Sequence, residues 1–155
     1  KAVFAHMDAF RPNSKVTDYF DVKLYYSNHL VTLKSSYFVR EALPAYQLHG
    51  RNGSFIKTKS DIQEGELQKE IKPNTSNWGV EPDSEQGLLH IMKDGKSHKN
   101  FVSSEIGDYM AYYNGIYEAI RHKKPLPVTA EEGAQVIRVI EAALKSNIEK
   151  QVITI

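Results

Sequence analysis

Residues 18–38 read DYFDVKLYYSNHLVTLKSSYF. From Asp18 to Tyr26 the side chains alternate: Phe20, Val22, Leu24 and Tyr26 fall on one face of an extended chain, and Asp21, Lys23 and Tyr25 on the other. A period of two with one apolar face describes a strand in a half-covered sheet. Ser27-Asn28 supplies a tight turn, and the β-branched and aromatic residues between Leu30 and Phe38 bring the chain back as a second strand. The stretch therefore predicts an antiparallel hairpin.

Working outward, Ala2 to Phe10 contains the run Val3-Phe4-Ala5 and ends in the turn-like Arg11-Pro12-Asn13-Ser14-Lys15, which predicts an entry strand. Downstream, Tyr46–Gly50 and Ser54–Thr58 flank Arg51-Asn52-Gly53, whose Asn-Gly step readily supplies positive φ. Asp61 to Lys72 is rich in helix formers and is expected to start at Asp61 or Ser60, with Gly65 as a weak point. Pro73 to Gly87 is a polar excursion anchored by Trp78. Leu88–Met92 and His98–Val102 flank Lys93-Asp94-Gly95-Lys96, a second hairpin.

The period then changes. Ile106, Tyr109, Met110, Tyr113, Ile116, Tyr117 and Ile120 recur at three- and four-residue steps, a helix face expected behind a Ser104 cap and ended by Lys123-Lys124-Pro125-Leu126-Pro127. The stripe Tyr109, Tyr113, Tyr117 reads as packing against the sheet or an interface. Thr129 and Glu132 stand at the first and fourth positions of a capping box, and Ala134, Ile137, Val139, Ile140, Ala143 and Leu144 supply the apolar face of a second helix, followed by a short strand in Gln151–Ile155. The fold class is α+β: an open, predominantly antiparallel sheet with helices on one face.

The chain has 155 residues, 41% hydrophobic and 25% charged, which suits one domain spanning residues 1–155. A net charge of +1 with scattered basic residues gives no long-range field for nucleic acid or an anionic membrane. Cysteine is absent, which excludes disulfide and thiol chemistry, and no apolar run is long enough to cross a bilayer. A soluble, cytoplasmic protein is the expectation. The start at Lys1 without methionine suggests a piece of a longer polypeptide.

Several segments in this order carry a resemblance: Asp18-Tyr19-Phe20-Asp21, Tyr46-Gln47-Leu48-His49-Gly50, Gly53-Ser54-Phe55-Ile56-Lys57, Asp61-Ile62-Gln63-Glu64, Trp78-Gly79-Val80-Glu81-Pro82, and Pro125-Leu126-Pro127-Val128 followed by Glu131-Glu132-Gly133-Ala134 and Val139-Ile140-Glu141-Ala142-Ala143. Together they resemble the carboxyl-terminal domain of the Gfo/Idh/MocA oxidoreductases, the glucose-fructose oxidoreductase and inositol dehydrogenase family, over nearly the whole chain. The resemblance implies a dihydrodipicolinate-reductase-like C-terminal fold and an amino-terminal Rossmann domain that holds NAD or NADP. It further implies hydride transfer on a sugar, inositol or related polyol, and a homodimer or dimer of dimers formed through the sheet.

The departures from the family pattern bound what this chain can do. No Gly-x-Gly-x-x-Gly follows a strand, so no cofactor-binding residue is assigned. The family's Glu-Lys-Pro segment is missing, and no segment of this chain is assigned to the family's Asp-x-x-x-His acid-base segment. His6, in Phe4-Ala5-His6-Met7-Asp8, has no aspartate four residues before it and takes no catalytic role. No catalytic residue is assigned, the isolated chain is expected to be inactive, and the six histidines show no metal-ligand spacing. The substrate-wall candidates are Arg40 on a strand-end loop, Tyr46, Lys57 near a strand end, and Trp78; each also has a structural reading, as solvated cation, packed tyrosine, sheet-edge charge and loop anchor. The rival reading is a stand-alone sheet-and-helix ligand-binding or scaffold domain, and a weaker third is a family member that has lost catalysis.

Overall fold

The hairpin read from residues 18–38 is present as β2 (Tyr19–Tyr25) and β3 (Leu30–Ser36), antiparallel with Val22 opposite Leu33. The computed structural model describes residues 1–58, 61–73 and 77–155. The entry strand is β1 (Ala2–Asp8), which pairs antiparallel with β2 so that Val3, Ala5 and Met7 lie opposite Leu24, Val22 and Phe20. Residues paired this way share a face, and that face is the one the alternation marked as apolar. Among the described residues the strands do not pair as the one open sheet that the sequence led us to expect. They form two four-stranded ladders, and the chain divides into one unit of residues 1–40 and 126–155 and a second of residues 41–125.

In the first unit the order is β3-β2-β1-β8, with β8 (Ile153–Thr154) pairing only with Ala2 and Val3. The covering helix of this unit is the last one, Ala130–Glu149, whose Thr129–Glu132 capping box is formed as expected. Its buried residues are Ala142, Ala143 and Ser146, and with Val3, Ala5 and Val22 they make the core. Ile137, Ile140 and Leu144, expected on the buried face, are instead about half exposed. Small side chains win the contact because they let the helix axis approach the sheet closely enough to hydrogen-bond it. Where β8 stops, helix side chains continue the ladder: Ala5 N–H donates to Ser146 Oγ at 3.0 Å, Met7 N–H to Asn147 Oδ1 at 2.9 Å, and Asn147 Nδ2 donates to the Met7 carbonyl at 3.0 Å.

Ser146 is fully buried and also donates to the Gln151 carbonyl at 2.6 Å, so one hydroxyl joins β1 to the chain beyond the helix. Ser146→Ala leaves both backbone groups unpaired in the core. A loss of about 1–3 kcal/mol is expected in urea unfolding followed by far-ultraviolet circular dichroism.

The loop after β1 is closed by Asp18, which accepts from Phe10 N–H (2.7 Å), Arg11 N–H (2.9 Å) and Arg11 Nε (3.1 Å). Burial pushes this carboxyl up, but the hydrogen bonds from Phe10 and Arg11 outweigh it and hold Asp18 below the usual carboxylate range. The Arg11 guanidinium also covers the Tyr37 ring at 4.2 Å.

The second unit holds β4 (Tyr46–Gly50), β5 (Gly53–Lys57), β6 (Gly87–Lys93) and β7 (Lys96–Val102) in sequential antiparallel order. The β6–β7 turn uses positive φ at Asp94 (52°) and Gly95 (71°), the conformation a two-residue hairpin wants. The Asn52-Gly53 step does not. Gly53 is required there by close approach: a Cβ would sit 2.4 Å from the His90 carbonyl oxygen of the neighbouring strand. A short helix, α1 (Gln63–Gln68), follows. It is shorter than the Asp61–Lys72 expectation, and Ser60, one of the two proposed starts, lies outside the described residues. Asp61 accepts the Gln63 N–H at 2.7 Å from two residues ahead.

The next helix, α2 (Tyr109–His122), is capped by Asp108, which accepts from Met110 N–H at 2.8 Å, and not by Ser104. Ser104 donates its own N–H to Glu81, and Gly107 is packed against Gln63, so the helix starts only after that contact. None of the residues of α2 is buried, so of the two expectations for its tyrosine stripe, packing on the sheet or at an interface, the first is not met within this chain. The helix Ala130–Glu149 is α3.

Candidate functional site

The polar side chains that the second unit buries gather around α1 and the Trp78 turn. Lys57, the last residue of β5, is 6% exposed, and its ammonium donates to Glu81 Oε2 and to the Glu85 carbonyl, each at 2.5 Å. Glu81 is itself 11% exposed, and its other oxygen accepts the Ser104 N–H at 2.6 Å. The Lys57 hydrogen bond holds the Glu81 carboxyl below its ordinary value; burial opposes this, and the Ser104 N–H assists it. A carboxyl lowered in the folded state stabilises the fold above its unfolded value, and that contribution drains away as pH falls through the lowered one. The second unit is therefore expected to weaken below about pH 4.5, and Glu81→Gln to flatten that slope when Trp78 fluorescence is followed in urea.

Gln63 is the second node. Its fully buried amide donates from Nε2 to Asp61 Oδ2 at 2.8 Å, and its Oε1 accepts from Trp78 Nε1 at 3.0 Å and Tyr109 N–H at 3.2 Å. One side chain thus ties α1, the Trp78 turn and the first residue of α2. The fit is tight, since a Cβ on Gly107 would lie 2.5 Å from Gln63 Nε2. Glu66 adds a carboxylate acceptor for the Gly79 N–H at 3.1 Å.

Between these nodes lies a cavity of about 70 Å³ whose lining includes Asp61, Glu81, Glu85, Ser104 and Glu105. It is smaller than the roughly 300–1,000 Å³ of small-molecule sites, and Asp61 and Glu81 are already engaged as described. A larger cavity, about 460 Å³, lies in the first unit, where Lys1, Tyr25, Tyr26 and Arg138 surround an apolar floor of Leu24, Val136 and Val139. Glu132 also lines it, but its carboxylate accepts from the Thr129 N–H and hydroxyl, which keeps it below the usual range. Among the described residues no group of three His, Cys, Asp or Glu side chains suits a metal ion. His49 and His90 each meet a serine, Ser54 at 2.9 Å and Ser97 at 2.7 Å.

Of the four wall candidates, Tyr46 and Lys57 are direct cross-strand partners. Tyr46 is exposed, whereas the Lys57 ammonium is turned into the Glu81 cluster. Trp78 is half-buried with its N–H bound to Gln63. Arg40 is exposed and belongs to the other unit. Sequence reasoning did not single out Gln63, Glu81 or Asp18 as organising residues. The available signal was indirect: a tryptophan in a polar stretch needs a partner for its N–H, and a lysine ending a strand needs an anion if it is covered.

The described ladders are all antiparallel, so they contain no parallel strand–turn–helix unit whose helix start would take a dinucleotide pyrophosphate. These residues do not fit a nicotinamide nucleotide in that manner. What they do fit is a domain type. A family model described as the oxidoreductase family C-terminal alpha/beta domain, GFO_IDH_MocA_C, matches residues 1–155. The chain belongs to the Gfo/Idh/MocA oxidoreductase family.

Among curated members of this family, the chain is 40% identical to the Bacillus subtilis scyllo-inositol 2-dehydrogenase (NADP(+)) IolW, over 99% of this chain and 43% of that protein. Among solved structures, the B. subtilis yvaA protein superposes with a TM-score of 0.95 at 39% identity, covering 100% of this chain and 45% of the other. A Bacteroides fragilis relative gives 0.91 at 39% identity, covering 99% and 47%. The chain thus spans less than half the length of these relatives. Among the described residues no helix is long and apolar enough to cross a membrane.

Proposed function

We propose that the full-length protein is an NAD(P)-dependent oxidoreductase that transfers hydride between the nicotinamide and a hydroxyl-bearing carbon of an inositol or related polyol, and that this domain supplies the substrate wall and the subunit contact. The observation that carries the reading is the 40% identity, sustained over 153 residues, to a protein named for NADP(+)-dependent oxidation of scyllo-inositol. The nicotinamide would be held by the part of the polypeptide outside this chain, and when bound it supplies the hydride acceptor. This domain's own contribution is orientation: side chains on a rigid sheet fix which hydroxyl faces the reacting centre.

Tyr46, Lys57 and Trp78 of the second unit are proposed wall residues, and Arg40 of the first unit is proposed as a substrate contact in its own right; they divide into two roles. Arg40 and Tyr46 offer exposed polar groups that suit hydroxyls of a polyol. Lys57 and Trp78, engaged with Glu81 and Gln63, hold the wall in shape. We further propose a homodimer or dimer of dimers formed through sheet surface, in the cytoplasm. The test is reduction of NADP(+) or NAD(+) by the full-length protein over a panel of inositols, sugars and linear polyols. Turnover with at least one cyclic polyol supports the reading, and its absence across the panel despite nucleotide binding overturns it.

A further inference from the structure

Three steps in the sequence place Asn or Asp before glycine: Asn52-Gly53, Asp94-Gly95 and Asn114-Gly115. At such a step the backbone nitrogen of the glycine can attack the preceding side-chain carbonyl carbon, because no Cβ stands in the way. A carbon–nitrogen bond forms, an aspartic acid loses water or an asparagine loses ammonia, and the product is a cyclic imide. Water then opens the ring at either carbonyl. The result is aspartate or isoaspartate, in which the main chain runs through the former side-chain carbon. Sequence alone ranks the asparagine steps first, since an amide loses ammonia more readily than a carboxylate loses water.

The fold reverses that order. Asn114-Gly115 lies inside α2, whose repeating hydrogen bonds occupy its amide nitrogens. Gly53 is enclosed from both sides, paired with Gly50 of β4 and with Ile91 of β6, and the Asn52 carbonyl accepts the Met92 N–H at 2.7 Å. The neighbouring strand stands so close that even a Cβ on Gly53 would strike the His90 carbonyl, so this peptide has no room to swing toward its side chain. Asp94-Gly95 is the two-residue turn between β6 and β7, closed by the Lys93–Lys96 pair. With positive φ at both residues, 52° and 71°, the ladder's hydrogen bonds belong to the flanking pair and leave the glycine nitrogen outside them. Both residues are exposed, and nothing lies within 4 Å of where a Gly95 Cβ would stand. Among the described residues the Asp94 carboxylate has no hydrogen bond or ion pair.

We propose that Asp94 is the residue at which the folded protein rearranges its backbone to isoaspartate, while the fold protects Asn52. The product adds a backbone atom to a turn that sets the register of β7, the last strand of its ladder, and so loosens β7 from β6.

The test compares one chemistry at both turns. Asp94→Asn in the full-length protein makes the β6–β7 turn a second Asn-Gly step, and Asn-Gly is itself a preferred pair for such a turn, so the fold is kept. The variant is aged folded and, in parallel, in guanidinium chloride, and peptide mapping follows the mass gained as ammonia leaves and water enters. In the folded sample position 94 is expected to convert at least about tenfold faster than Asn52, with the two rates converging in denaturant. The unaltered protein is aged in the same way, and isoaspartate at Asp94 is read as resistance to an aspartate-specific protease. Equal rates at the two positions in the folded variant, or faster conversion of Asn52, overturn the inference. So does a rate difference that persists in denaturant, or an aged parent protein whose Asp94 stays fully cleavable.

Discussion

Lys57→Met is expected to destabilise the second unit by about 3 kcal/mol, because it leaves the Glu81 carboxylate largely enclosed without its cation and removes the ammonium's bond to the Glu85 carbonyl. The side chain that a sequence reading would place at a sheet edge is thus a structural cation. Adding Glu81→Gln should recover most of the loss, since the amide oxygen can still accept the Ser104 N–H while no charge is left uncompensated. The coupling between the two sites, read from the full cycle, separates this account from simple loss of lysine packing. The lone tryptophan, Trp78, lies in the same unit and reports its unfolding in urea. A pH series supplies a second check. The single variant should lose less as pH falls toward the protonation of Glu81, whereas the parent loses more.

The second large effect belongs to Gln63. Gln63→Leu keeps the volume roughly constant but takes the partner from three groups at once: Trp78 Nε1–H, Tyr109 N–H and the carboxylate Oδ2 of the exposed Asp61. A loss of about 2–4 kcal/mol is expected, with a red-shifted Trp78 emission as the indole finds water. Trp78→Phe removes only one of those groups, because Gln63 Oε1 still accepts from Tyr109, and should cost nearer 1 kcal/mol. If the two variants cost the same, Gln63 is not the junction between α1, the Trp78 turn and α2.

Much of this fold was legible because local pattern and tertiary demand agree. The alternation through Phe20, Val22 and Leu24, the Asp94-Gly95 turn and the Thr129–Glu132 box each depend on neighbours a few residues apart, and each is found where the sequence put it. The failures have a different physics. The helix cap moved from Ser104 to Asp108 because Glu81, 23 residues away in sequence, takes the Ser104 N–H. The buried face of α3 is set by Ala142, Ala143 and Ser146, since hydroxyl and amide bonds to β1 reward close approach over apolar area. The division of the strands into two ladders is a long-range pairing that no hairpin signal encodes. The candidate site was half legible. Tyr46 and Lys57 are cross-strand partners, as two neighbouring strands required, but the direction of the lysine is decided by a carboxylate in the excursion beyond α1.

The most direct measurement is calorimetric titration of NADP(+) into the full-length protein and into the 155-residue chain, side by side. Saturable one-site binding by the longer protein, with no heat of binding from the shorter one, is the expected pair of results. Binding by the 155-residue chain alone, or none by either, would contradict a division of labour in which this domain shapes the substrate side and leaves the nucleotide to the rest of the protein.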